Sequence, residues 1–247
     1  MVKGFASTTT MTWRLLICFS VGAGLAAAAV VSGAVELTNS KDAAVRKRKD
    51  YSGVVLWLDP VDRNPVALAT KRVEMLQKEK MFQPHVLAIS VGSTVDFPNL
   101  DLIFHNAFSN FSGQPFDVGL YAPHTSKSVT FKHPGIVRVF CNIHSTMSAI
   151  IAVLNTPWYA VTPPSGRYSI SNVPPGEYML RLFHERAQEE NLRFLDHRIT
   201  VPDTGVTNPL ISISETGYNP APHLNKYGQN YPPQPNDGGS YPGAPKK

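Results

Sequence analysis

Residues 135–154 read GIVRVFCNIHSTMSAIIAVL, and the stretch divides into three parts. Residues 136–140 form a strand that delivers Cys141, and residues 149–154 are an uncharged apolar run suited to the centre of a sheet. Between them lies CNIHSTM, residues 141–147, which sets a thiol, an imidazole and a thioether at intervals of three. Cys141, His144 and Met147 are a soft ligand set, and such donors favour copper over magnesium, calcium or manganese. An electron-transfer copper site takes two histidines, one thiolate and a weak axial thioether. The loop supplies three of the four, so a second histidine has to come from another strand end. His105 suits that place: it follows a strand pair and stands 36 residues ahead of Cys141, a separation that an antiparallel sandwich folds back on itself.

Working outward, the chain reads as mostly strand. Its 21 prolines and 17 glycines are spread over the whole length and leave few long amphipathic helical patterns. Strand patterns at residues 86–89, 94–99 and 126–131 surround the candidate ligands, with turns at Val91-Gly92-Ser93 and His133-Pro134-Gly135. Upstream, residues 53–58 are a strongly apolar strand. Downstream, Asn155-Thr156-Pro157 marks a boundary, after which residues 166–170 and 178–184 flank the turn Pro174-Pro175-Gly176 as a hairpin-like pair. Residues 198–201 and 210–214 add two strands. Residues 215–247 are rich in proline, glycine and asparagine without an apolar period, and are expected to be disordered.

Residues 1–34 are expected to be a secretory signal peptide rather than part of the fold. Lys3 and Arg14 give a basic start, residues 15–31 carry no charge, and Ser32-Gly33-Ala34 offers small residues for a peptidase. The rival reading is a membrane anchor, since the run is close to the shortest that spans a bilayer. Cleavage removes Cys18 and leaves Cys141 as the one cysteine, which rules out an internal disulfide in an oxidising periplasmic or extracellular compartment. Loss of Lys3 and Arg14 lowers the net charge from +5 to +3, too mild for nucleic-acid binding. The basic run at residues 46–49 reads as a solvated loop.

On these residues the segment 71–155 resembles a cupredoxin of the plastocyanin and amicyanin kind. The resemblance rests on Phe82-Gln83-Pro84, Val91-Gly92-Ser93-Thr94-Val95, Phe97-Pro98-Asn99, Phe104-His105-Asn106, His133-Pro134-Gly135 and the Cys141-x-x-His144-x-x-Met147 loop. It implies an all-β, Greek-key β-sandwich with one type 1 copper held by His105, Cys141, His144 and Met147. It further implies that Asn106 joins the two ligand loops, and that the edge of His144 emerges through an apolar patch as the electron port. The other histidines stand apart: His85, His124 and His133 read as solvent or turn residues, and His184, His197 and His223 lie outside the resembling segment.

A second resemblance lies in residues 165–185, within an expected domain of residues 156–214. Gly166-Arg167-Tyr168 and Val173-Pro174-Pro175-Gly176-Glu177-Tyr178 are similar to a carboxypeptidase regulatory-like, transthyretin-like β-sandwich, a carbohydrate-binding-like fold. Residues 35–70, with the strand at 53–58, are expected to contribute to that sandwich, which nests the cupredoxin segment inside it. The implied function is an exported electron carrier or electron-transfer subunit with a redox partner protein. The alternative is a surface or carbohydrate-binding protein in which Trp57, Trp158 and Tyr159 touch a glycan. Catalysis is not expected, because one cupredoxin unit without a His-x-His pair lacks the extra copper site of multicopper enzymes.

Overall fold

The computed structural model describes residues 1, 4, 29–62, 68–219 and 223–232. First come β1 (Ala29–Thr38), α1 (Ala43–Arg48) and β2 (Val55–Pro60). The middle of the chain carries β3 (Arg72–Glu74), β4 (Leu76–Lys78), β5 (Met81–Gln83), β6 (Val86–Ser90), β7 (Thr94–Pro98), β8 (Phe108–Ser109), β9 (Phe116–Asp117), β10 (Ser126–Thr130), β11 (Gly135–Phe140) and β12 (Ser148–Leu154). Then follow β13 (Tyr159–Val161), β14 (Arg167–Val173), β15 (Gly176–Phe183), α2 (Glu189–Arg193), β16 (His197–Val201), β17 (Val206–Thr207) and β18 (Ile211–Ser214). Among the described residues no helix is long and apolar enough to cross a membrane.

The middle strands make two larger sheets, β6-β12-β11-β8-β9 and β10-β7-β3, and the two-stranded pair β4-β5. Alternation sets what lies between the two larger sheets. Val95 and Phe97 of β7 and Val137 and Val139 of β11 point into one core with Phe131 and Ile151, all essentially without solvent contact. β12 pairs with β11 on one side and β6 on the other, so it is central, and it is buried on both faces. Ala149, Ile151 and Val153 face the inner core, while Ile150, Ala152 and Leu154 join Val55 and Val86 in a second cluster. That second cluster, with Trp57, Tyr159 and Phe183 against it, is the seam between the middle sheet and the sheet β13-β2-β15-β16. A central strand buried on both faces is a sufficient reason for a run without charges.

The remaining strands draw on both ends of the described chain. β2 pairs with β13 and β15, and β1 pairs antiparallel with β14 and in parallel with β17 and β18. Val31, Leu37, Leu56 and Leu58 share one core with Trp158, Tyr168, Tyr178 and Ile213.

Three expectations are corrected here. Residues 29–34, assigned to a removed leader, are the first half of β1. Ala29 and Val31 are buried, and Ser32, Gly33 and Ala34 pair with Ser169, Tyr168 and Arg167. Gly33 is small for a packing reason: a Cβ there would meet the Tyr168 hydroxyl at 2.6 Å. Residues 2–3 and 5–28 of the expected leader lie outside the described residues. The basic run at 46–49, read as a loop, is the end of α1 and its cap. Asp42 accepts the Ala44 N–H at 2.6 Å, and cations in the last turn suit the helix dipole. The tail expected to be disordered from residue 215 is ordered at 215–219 and 223–232, because its polar side chains bond to the fold. Glu215 is 4% exposed and Asn225 8%. Residues 220–222 and 233–247 lie outside the described residues.

Candidate metal centre

β11 and β12 form an antiparallel pair in which Phe140 stands opposite Ser148, so residues 141–147 are the loop at its end. Two backbone bonds close that loop: the Cys141 N–H donates to the Met147 carbonyl at 3.2 Å and the Met147 N–H to the His144 carbonyl at 3.1 Å. β8 brings the second donor, since Phe108 pairs with Phe140. His105, three residues earlier, is pinned to Tyr121 by a pair of backbone bonds of 3.2 and 2.9 Å.

The result is a buried donor set. His105 and Cys141 are 0% exposed and His144 is 5%. One ligand atom from each lies within 4.8 Å of the others. The Cys141 Sγ is 3.5 Å from His144 Nδ1 and 3.9 Å from His105 Nδ1, and the two rings meet at 63°. Metal–nitrogen and metal–sulfur bonds of about 2.0–2.3 Å in a trigonal plane require donors about 3.7 Å apart. The two distances bracket that value, so the donors fit a small ion. Met147, fully buried, closes the loop and belongs to the same apolar cluster as Cys141. The structure thus brings His105, Cys141 and His144 together, with Met147 at the end of their loop.

Electrostatics prepare the site. Burial pushes the Cys141 thiol up, while the backbone N–H groups of Ile143, Asn106 and His144 oppose that shift. Burial pulls His105 down and so favours the neutral imidazole that a metal needs. His105 Nε2 lies 2.8 Å from Asp101 Oδ2. A proton on Nε2 donated to that carboxylate leaves the Nδ1 lone pair facing the sulfur. Asp101 is itself held by the amides of Glu79 and Lys80, at 2.7 and 2.9 Å. Burial opposes its ionisation, but the bonds from Lys80, His105 and Glu79 prevail and keep it below the usual carboxylate range.

Asn106 sits where the resemblance placed it, between the ligand loops. Its Oδ1 accepts the Asn142 N–H at 3.3 Å and its Nδ2 donates to Asp117 at 2.7 Å. Its carbonyl accepts from the buried Gln77 side chain at 3.1 Å. Asp101, Asp117 and Gln77 went unread in the sequence. For Asp101 there was a usable signal, a carboxylate four residues before a ligand histidine. At the expected electron port, His144 is 5% exposed. The segment from His223 onward lies against residues 140–142, with His223 stacked on Phe140 at 4.2 Å.

No family model matches the sequence, and no curated protein does. Solved structures do. A copper-containing nitrite reductase from Thermus scotoductus SA-01 aligns over 39% of this chain at 31% identity and a TM-score of 0.33. The match spans 25% of that reductase, about a quarter of its length. A purple cupredoxin from Nitrosopumilus maritimus aligns over 31% of this chain and 84% of its own, at 25% identity and a TM-score of 0.29. The Cu(I) form of an amicyanin variant aligns over 33% of this chain and 81% of its own, at 18% identity and a TM-score of 0.32. These three alignments each cover between 31% and 39% of this chain.

The other histidines take non-ligand places. His85 sits on the seam, where its Nε2 is 2.8 Å from Glu185 and its Nδ1 is 3.0 Å from the Ser148 carbonyl. His184 is buried against Glu215 at 2.9 Å, and His197 bonds the Leu195 carbonyl at 2.8 Å.

Proposed function

We propose that the chain is an exported type 1 copper protein that carries electrons to or from a redox partner protein, alone or as a subunit. The observation that carries this reading is the closed, buried loop that sets Cys141 Sγ 3.5 and 3.9 Å from two histidine nitrogens, with Met147 at its end. Copper bound there would cycle between Cu(I) and Cu(II). The chain's residues serve that cycle by not moving. The loop is closed by backbone bonds, His105 is aimed by Asp101, and Asn106 ties its neighbour to Asn142. A rigid donor set that excludes water keeps reorganisation small when an electron arrives or leaves.

We further read the architecture as a cupredoxin nested in a transthyretin-like sandwich. The support is the pairing of β2 with β13 and β15, and the shared core of residues before and after the middle segment. The glycan reading finds no free aromatic platform in its three candidates. Trp158 is 5% exposed, packs edge-on against Tyr178 and donates to the Asn172 carbonyl, while Trp57 and Tyr159 pack in the seam. For export, the leader would end before β1, and Ala26-Ala27-Ala28 offers the small residues there.

The test is Cys141→Ser. It should abolish the thiolate-to-copper absorption band while far-ultraviolet circular dichroism stays that of the parent. A parent-like band in the variant would remove the ligand assignment.

A further inference from the structure

A second element shares the ligand loop, and it comes from the far end of the sequence. Four residues form a closed ring across it. Lys226 Nζ donates to Asp117 Oδ2 at 2.6 Å, and Asp117 Oδ1 accepts from Asn106 Nδ2 at 2.7 Å. Asn106 Oδ1 accepts the Asn142 N–H at 3.3 Å, and Asn142 Oδ1 accepts the Lys226 N–H at 2.9 Å. The ring touches the residue after His105 and the residue after Cys141, so Lys226 is bonded to the Cys141 loop directly and to Asn106 through Asp117. Two further contacts lie alongside. Tyr231 Oη donates to the Cys141 carbonyl at 2.7 Å and approaches His223 Nδ1 at 3.2 Å, while His223 stacks on Phe140.

The segment has its own fold rather than lying as a loose strand. Asn225 Oδ1 accepts the N–H groups of Tyr227 and Gln229 at 2.9 and 3.0 Å. Its backbone N–H donates to the Gln229 carbonyl at 2.9 Å. A segment shaped this way loses little further entropy in staying on the loop. Neither the ring nor the Tyr231 bond takes part in holding a metal.

We infer that residues 223–232 are a built-in cover of the metal centre, held by Lys226 and Tyr231 as positioning residues, that closes the His144 edge and limits access to the Cys141 thiol. The cover rests on the proposed copper site only for its purpose, not for its existence.

Thiol labelling in the metal-free protein tests it. The full chain would carry Cys18→Ser, so that Cys141 is the one cysteine, and would react with 5,5′-dithiobis(2-nitrobenzoate). Lys226→Met combined with Tyr231→Phe should speed labelling about tenfold or more, the effect on a local opening equilibrium of losing a hydrogen bond to a charged group. Lys226→Arg, which keeps the charge and a donor, should stay close to the parent rate. A stop after Asn219 should match or exceed the double variant; if that shortened chain fails to fold, the double variant decides alone. Parent-like labelling in the double variant would overturn the cover. A copper arm separates the two readings: removal of Cu(I) by bicinchoninate should accelerate in the same order. Faster labelling in a protein that binds no copper as a coloured complex would keep the cover and reject the copper site.

Discussion

Glu215 stands where composition alone suggested that order ends, yet it is 4% exposed and holds three partners. His184 Nε2 and Arg186 Nε lie 2.9 and 3.0 Å from Oε1, and the Ser40 hydroxyl donates to Oε2. Burial favours the neutral acid, but the bonds from His184 and Ser40 and the Arg186 charge outweigh it and hold the group at about 2 instead of 4.5. The unfolded chain therefore binds more protons than the folded one between those values, and stability rises with pH across that window. At about 1.36 kcal/mol per pH unit, this carboxylate contributes about 3 kcal/mol above pH 4.5. The contribution falls to about 1 kcal/mol at pH 3 and is lost as the pH passes below 2. Glu215→Gln should then cost about 3 kcal/mol at pH 7, within the range for breaking a buried charged pair. Urea denaturation of parent and variant at pH 7 and pH 3 measures the gap, and the difference cancels effects common to both proteins. A gap of equal size at the two pH values would refute the argument.

Asp101→Asn should weaken Cu(II) binding by about 10- to 100-fold and raise the reduction potential, because a neutral amide no longer supports the His105 imidazole. Competition against a Cu(II) chelator and voltammetry check both. Met147→Leu should keep the coloured site with a raised potential, since the axial donor is lost while burial is kept; an unchanged potential would count against a Met147 ligand. At the seam, the Glu185 hydrogen bond raises His85 against the effect of burial. That contribution to stability is complete below the ordinary 6.5 and is lost as the pH rises through the folded value. Proton resonance of His85 should titrate above 6.5 in the parent and lower in Glu185→Gln.

The ligand loop was legible because its chemistry is local: Cys141, His144 and Met147 follow one another at fixed spacing between two strands. β12 was legible for the same reason, its uncharged run being long enough to need burial on both faces. β1 was not, because a strand of small apolar residues that follows an apolar run has no period to separate it from a leader. The cover was hidden for a different reason. Its contacts join Asn142 to Lys226 and Cys141 to Tyr231 across more than eighty residues, and polar side chains in a proline-rich stretch carry no sign of where they bond.

The most direct measurement is a Cu(II) titration of the protein followed by visible absorption and electron spin resonance. An intense charge-transfer band that saturates at about one copper per chain, with narrow parallel hyperfine splitting, is the outcome expected of the Cys141, His105 and His144 donor set. A pale spectrum with ordinary Cu(II) splitting, or binding without a fixed stoichiometry, would contradict the electron-transfer site.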